Sequence, residues 1–367
     1  MRIEPVTLLN LYLTTVLSMY FLKEIWMLAD RTDKFSRIPF FEAWEKNSLF
    51  MSVLAPPPFL VKEFGNEWIE KVRAKLGETI MSLFYLYNLS EWIETIHNLK
   101  GFDRIKTKLE KVDDSFFPTV SEVIFLDMIA DKIEETNIYL EKSFSTKRFT
   151  YPEVKIVLER GLDIYFEVTQ ISNFKEMEEI IYYYSTFYFF ILSLKILDNI
   201  ERKLVFNFKE YPDTNILTRI YKGFNSPKIF DAIRGKDNFT ISDGVKNEFE
   251  IIVTDGFDVI FNVPDKYIED KIKDKIESKT RQFDPEGNNF LVLDATILAC
   301  NPQRIAGYIS DYFQWSGNTV IKGVIILRNL WVFDIPFPRY GTVLHYRTNP
   351  NFSDGKYDSI LFKIFPQ

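Results

Sequence analysis

Cysteine occurs once in this chain, at Cys300, and histidine only twice, at His97 and His345. A lone cysteine excludes an intramolecular disulfide and points to a reducing compartment or a hot habitat, with the cytoplasm as the expected location. So few nitrogen and sulfur ligands exclude a structural zinc site built from Cys and His, which needs four. They also leave a serine-type catalytic relay only His97, at an expected helix end, and His345, in "VLHYRTNP", as its base. Glycine (14) and proline (16) are sparse among 367 residues, which argues against long disordered tails. Excess positive charge is missing too. The net charge of −7 gives the whole molecule no attraction for nucleic acid and leaves only a local basic face open. The uncharged runs, "VTLLNLYLTTVLSMYFL" from Val6 and "IIYYYSTFYFFILSL" at 180–194, are short for a membrane span. They are read as buried helices, so no membrane contact is expected.

What the chain has is apolar and aromatic bulk. Hydrophobic residues make up 46% and aromatics 16%, with 35 Phe and 19 Tyr, enough for a large core and two domains. Residues 1–112 read as an all-helical domain. Trp68, Val72, Leu76, Ile80 and Leu83 recur at helical spacing, and prolines break the pattern at "SRIPF" and "APPPF". From residue 113 to 367 strands alternate with helices, the pattern of an α/β domain. A helix is expected over 119–134, then strands at "NIYLEKSF", "EVKIVL" and "DIYFEVTQ", and a long helix at about 174–199. Strands follow at "KLVFNF", "FEIIV" and "DVIFNV". The helix "KYIEDKIKDKIESKTRQF", the buried strand "NFLVLDATI", the helix "PQRIAGYISDYFQW" and the strand "VIKGVIIL" close the core. "DIPFPRYGTVLHYRTNPNFSD" reads as a loop, a short strand and a turn. Its Tyr340, Tyr346 and Arg347 either contact nucleotides or pack over the core.

Carboxylates stand out within the apolar strands. At period two, Glu153 and Lys155 share one face of their strand, and Asp163, Tyr165, Glu167 and Thr169 share one face of the next. The turn Glu159-Arg160-Gly161 makes the two strands a hairpin that can bring Glu153 and Glu167 together. Upstream, Glu122 lies on the same helical stripe as Leu126, Ile129 and Ile133, whereas Asp127 points elsewhere. A carboxylate on an apolar stripe needs a partner, because burying an unpaired charge is costly. Three converging acids suit a divalent ion, Mg²⁺ or Mn²⁺.

A helix acid followed by a hairpin with "Pro152-Glu153" and "Glu167-Val168-Thr169" resembles the PD-(D/E)xK, or restriction-endonuclease-like, nuclease superfamily. The later "KIESKTRQFDPEGNNFLVLDATI" and "NTVIKGVIIL" extend the resemblance across roughly residues 113–348. It implies a mixed central sheet flanked by helices, and phosphodiester cleavage in DNA or RNA with Glu122, Glu153 and Glu167 around Mg²⁺ or Mn²⁺. Thr169 stands where the family carries its catalytic lysine. Lys155, on the strand of Glu153, or Lys279, on the later helix, would substitute. Arg281 and Gln170 are the neighbouring candidates for substrate contact. The alternative is a nuclease fold without catalysis that binds nucleic acid or serves as a scaffold, with the helical N-terminal domain as its surface for a protein partner.

Overall fold

The computed structural model describes residues 56–76, 80–134, 137–140, 153–158, 162–171, 191, 194–195, 199–208, 227–242, 248–262, 264–295, 302–333, 338–352 and 355–365. The Val6–Leu22 run, Pro152, the 159–161 turn and nearly all of the helix expected at 174–199 lie outside them. The chain separates into two compact units. One comprises residues 1–87, 178–264 and 333–339; the other comprises residues 88–177, 265–332 and 340–367.

The first unit contains helices α1 (Pro58–Phe64) and α2 (Asn66–Lys75) and the first part of α3 (Ile80–Ile96). Trp68, Val72 and Leu76 are buried there, as the spacing in the sequence requires. The strands β4 (Lys203–Asn207), β5 (Phe239–Ser242), β6 (Glu248–Thr254) and β7 (Asp258–Asn262) form a four-stranded sheet in the order β5-β6-β4-β7. Helix α6 (Pro227–Gly235) precedes β5. The sequence reading assigns β4, β6 and β7 to the same domain as the hairpin. In the structure they form a sheet of their own, because alternation specifies which face of a strand is buried and not which strand lies beside it.

The second unit is mixed α/β. Its helices α4 (Phe102–Glu110) and α5 (Phe116–Ala130) lead into strands β1 (Ile138–Leu140), β2 (Val154–Leu158) and β3 (Leu162–Gln170). Helix α7 (Asp265–Gln282), strand β8 (Asn289–Asp294), helix α8 (Pro302–Ser316), strands β9 (Ile321–Phe333) and β10 (Pro338–Thr348), and helix α9 (Lys356–Ile364) follow. The sheet runs β1-β2-β3-β8-β9-β10, with antiparallel pairing at β1/β2 and β2/β3 and parallel pairing at β3/β8 and β8/β9. Strand β8 has parallel neighbours on both sides, and all six of its residues are buried. Its uninterrupted "FLVL" is the composition such a strand needs. Strand β10 is longer than the short strand expected there.

Even-numbered residues of β3 face α5, and Phe125 of α5 lies 5.2 Å from Phe166. Phe166 stacks 5.4 Å from Phe290, which meets Tyr357 of α9 edge-on at 5.7 Å. The high aromatic content of the chain therefore supplies the layer between helices and sheet, where such ring pairs add to simple burial. Burying side chains of this size contributes about 2 kcal/mol each. On the opposite face, the odd-numbered residues of β3 meet α7. There Asn318 Nδ2 donates to Thr280 Oγ1 at 2.7 Å, which ties the last turn of α7 to the start of β9.

Helix α4 begins where backbone meets backbone. Lys100 bridges to Tyr139, and the Leu140 amide donates to the Lys100 carbonyl at 3.0 Å. Gly101 follows with φ +93°, and a Cβ there would lie 1.7 Å from the Leu140 carbonyl oxygen. Only glycine fits that φ and that proximity. Residues 88–112, read from the sequence as the end of a helical domain, thus cluster with the six-stranded sheet. Gly101→Ala is expected to destabilise the protein by about 2 kcal/mol or more, since it combines left-handed strain with a backbone collision. Urea unfolding measures the loss, and an unchanged midpoint would contradict this account of how α4 is seated.

Candidate active site

Glu122 is buried in the middle of α5, where the helical wheel puts it. Its partners come from α4. Arg104 and Lys108 lie one turn apart and so share a helix face, flanking the buried Ile105 and Leu109. Arg104 Nη2 donates to Glu122 Oε1, and Arg104 Nη1 donates to Glu153 Oε2. Lys108 Nζ lies 2.7 Å from Glu153 Oε2 and 3.4 Å from Glu122 Oε2. A guanidinium has a planar set of donors, so one arginine can hold two carboxylates in fixed relative positions.

Burial and charge act against each other in this cluster. Burial pushes the Glu122 carboxyl above its ordinary range, and the Arg104 and Lys108 charges only partly offset it. Glu153 also loses hydration, but the Lys108 hydrogen bond and the Arg104 and Lys108 charges outweigh the burial and hold it low. For Arg104, burial opposes the charged form, and the two glutamates overcome it and raise its pKa.

Glu167 is held separately. Lys279, on α7, donates to Glu167 Oε1. The β2/β3 register pairs Val154 with Phe166, and continued by one residue it sets Glu153 opposite Glu167. The expected convergence of three acids is therefore divided: Glu122 joins Glu153 through Arg104, and Glu167 joins Lys279. Among the described residues no group of three or more His, Cys, Asp or Glu side chains is arranged to hold an ion.

The other candidates are dispersed. Lys155 pairs with Asp163 at 2.6 Å, a diagonal cross-strand contact that engages its ammonium along the hairpin. Arg281 is 79% exposed and reaches Glu277 at 3.4 Å, so it lies on the solvent side of α7. Gln170 faces α5, where its Nε2 donates to Ser121 Oγ at 2.9 Å, and Ser121 in turn donates to Asp294 of β8. This chain links three elements in the core rather than facing a substrate. His97 is exposed, with Nδ1 2.5 Å from the Glu94 carbonyl at the end of α3. Arg347 donates to the Tyr346 carbonyl at 3.3 Å, and His345 and Tyr346 are half-buried on β10.

Sequence reasoning missed Arg104, Lys108, Ser121 and Asp294. The available signal was the pair of cations one turn apart beside an apolar stripe in "FDRIKTKLE", a pattern shared by ordinary solvated helix faces.

Mg²⁺ keeps several waters and needs only one or two protein carboxylates together with substrate phosphate oxygens. Glu153 Oε1 and Glu167 Oε2 carry none of the contacts above, whereas both oxygens of Glu122 are engaged. An ion at this site would fall to Glu153 and Glu167 rather than to Glu122, whose oxygens Arg104 and Lys108 occupy.

Removing Arg104 leaves Glu122 buried beside a single lysine. A carboxyl whose folded-state pKa is raised loses its share of stability as pH rises through that value. Arg104→Ala is therefore expected to destabilise the fold by about 3 kcal/mol near neutrality. Part of that loss should return as the pH falls and Glu122 takes up a proton, and denaturant midpoints at several pH values measure it. A penalty that grows on acidification would contradict this account of the cluster.

No family model, curated protein or solved structure matches this chain, so the reading of its site rests on its own residues.

Proposed function

We propose that the second unit is a divergent PD-(D/E)xK nuclease domain that cleaves phosphodiester bonds with Mg²⁺ or Mn²⁺. The supporting order is helix α5 with Glu122, a three-stranded antiparallel run β1–β3 with Glu153 and Glu167, then α7 and the parallel strand β8. Residues 172–264 interrupt that order between β3 and α7. The observation that carries the reading is the contact of Lys279 with Glu167. Thr169 lacks the family's ammonium, and Lys279 supplies one beside the same acid from another element.

In this reading Glu153 and Glu167 hold the ion through the oxygens left outside their ion pairs. The ion, when bound, polarises the phosphate and lowers the pKa of a water molecule. Lys279 places a fixed positive charge beside Glu167, where negative charge develops on the phosphate oxygens. Preorganised charge of this kind costs no reorganisation during the reaction. Arg104 and Lys108 fix Glu153 and partly offset the cost of burying the Glu122 carboxylate.

A second reading has its own observation. Arg104 and Lys108 already neutralise Glu122 and Glu153, which lets the acids persist without any ion. That favours a nuclease-like fold serving as a nucleic-acid-binding or scaffolding component.

Purified protein incubated with Mn²⁺ and single- or double-stranded DNA and RNA is expected to cleave at least one of them. Lys279→Ala should slow cleavage about 100-fold, the scale of losing one preorganised charge, and Glu167→Ala should abolish it. Calorimetric titration should show Mn²⁺ binding that Glu153→Ala and Glu167→Ala each weaken. Cleavage that survives Glu167→Ala would indicate a contaminant. A folded protein that neither cleaves nor binds Mn²⁺ would favour the scaffolding reading.

A further inference from the structure

Helix α7 presents a lysine stripe. Lys271, Lys275 and Lys279 are spaced four apart, so each lies one turn and about 6 Å further along the axis, rotated by roughly 40°. The stripe winds toward the sheet and ends where Lys279 meets Glu167. Its flank carries Tyr267, whose ring centroid is 5.2 Å from Lys271 Nζ, with Ser278 and Gln282 beside it. Asp274 lies one turn from Lys271 at the outer edge of the stripe, and further round the helix Glu277 meets Arg281 at 3.4 Å and Lys273 at 4.0 Å.

Lys275, in the middle, is half-buried between two like charges. Its pKa is lowered first by burial and then by Lys279 and Lys271, with no acid acting to raise it. Lys275 itself is thus disfavoured as an ammonium, even with Lys279 beside it held by Glu167. An anion that spans the stripe relieves it.

We infer that Lys271, Lys275 and Lys279, with Tyr267, form a track for a single-stranded phosphodiester backbone leading into the Glu153–Glu167 site. This rests on the nuclease reading above and adds the path by which the strand arrives. A lysine ladder with an aromatic ring at its outer end combines the two features that hold single strands, backbone neutralisation and base stacking. The negative net charge of the whole protein is no obstacle, because screening confines the interaction to a range of about 10 Å.

The test is fluorescence anisotropy of a labelled oligo(dT) or oligo(U) strand in EDTA, where no cleavage occurs and binding is read alone. Lys271→Gln combined with Lys275→Gln, which leaves the site residues intact, is expected to weaken binding roughly tenfold or more at 0.1 M salt. The slope of log affinity against log salt should fall in magnitude by roughly 1.4, since two phosphates of a single strand are no longer neutralised. Lys266→Gln with Lys273→Gln, of equal charge change on the other side of α7, is expected to leave that slope nearly unchanged. Equal effects of both pairs, or polyglutamate competing as well as the oligonucleotide, would overturn the proposal in favour of generic attraction or an acidic protein partner. Failure of cleavage with binding intact would count against the nuclease reading alone. Cleavage with no effect of the stripe variants would count against the track alone.

Discussion

The guanidinium of Arg104 stands between Glu122, buried in α5, and Glu153, at the entry to β2. Those acids come from different elements, and neither has a reason to approach the other unless a cation joins them. Arg104 does so from a third element, α4, and Lys108 completes the charge balance one turn later. The position of α4 depends in turn on Gly101, whose conformation lets the chain run against the Leu140 carbonyl. A single close backbone approach thereby sets which carboxylates share a cation.

A buried ion cluster is weak evidence for stability, because desolvation can consume what attraction returns. Its value here is positional. Glu122 is the member most affected by burial, and its pKa remains raised despite two nearby cations. Glu153, at 36% side-chain exposure, keeps water access and stays low. The cluster thus has a buried inner acid and a half-exposed outer one. Lys279 and Glu167 form a second ion pair on the odd-numbered face of β3, where α7 also carries its lysine stripe.

Much of this was legible in the sequence. Period-two alternation gave the β2 and β3 faces, and helical periodicity placed Glu122 on the buried stripe, because both depend only on local geometry and burial. Lys279 was expected to project from the later helix toward the sheet, and it meets Glu167 there. What stayed hidden was non-local. Nothing in "FDRIKTKLE" distinguishes a cation aimed at a buried acid from one in solvent. Likewise, nothing in the strands of residues 203–262 says that they pair with each other rather than with β3. The helical reading of residues 88–112 was sound locally, yet these residues cluster with the sheet, since an apolar stripe does not name its partner. Lys155 looked well placed by alternation alone, and Asp163 on the adjacent strand captured it.

The positioning of Glu153 stands or falls on the coupling between Arg104 and Glu122. A double-mutant cycle built from Arg104→Met, Glu122→Gln and their combination, followed by urea unfolding at neutral pH, reads that coupling directly. The account predicts an interaction energy of about 2 kcal/mol or more, within the range seen for groups in one ionic network. An interaction energy indistinguishable from zero would mean that the two side chains do not hold each other, and the positioning of Glu153 would need another cause.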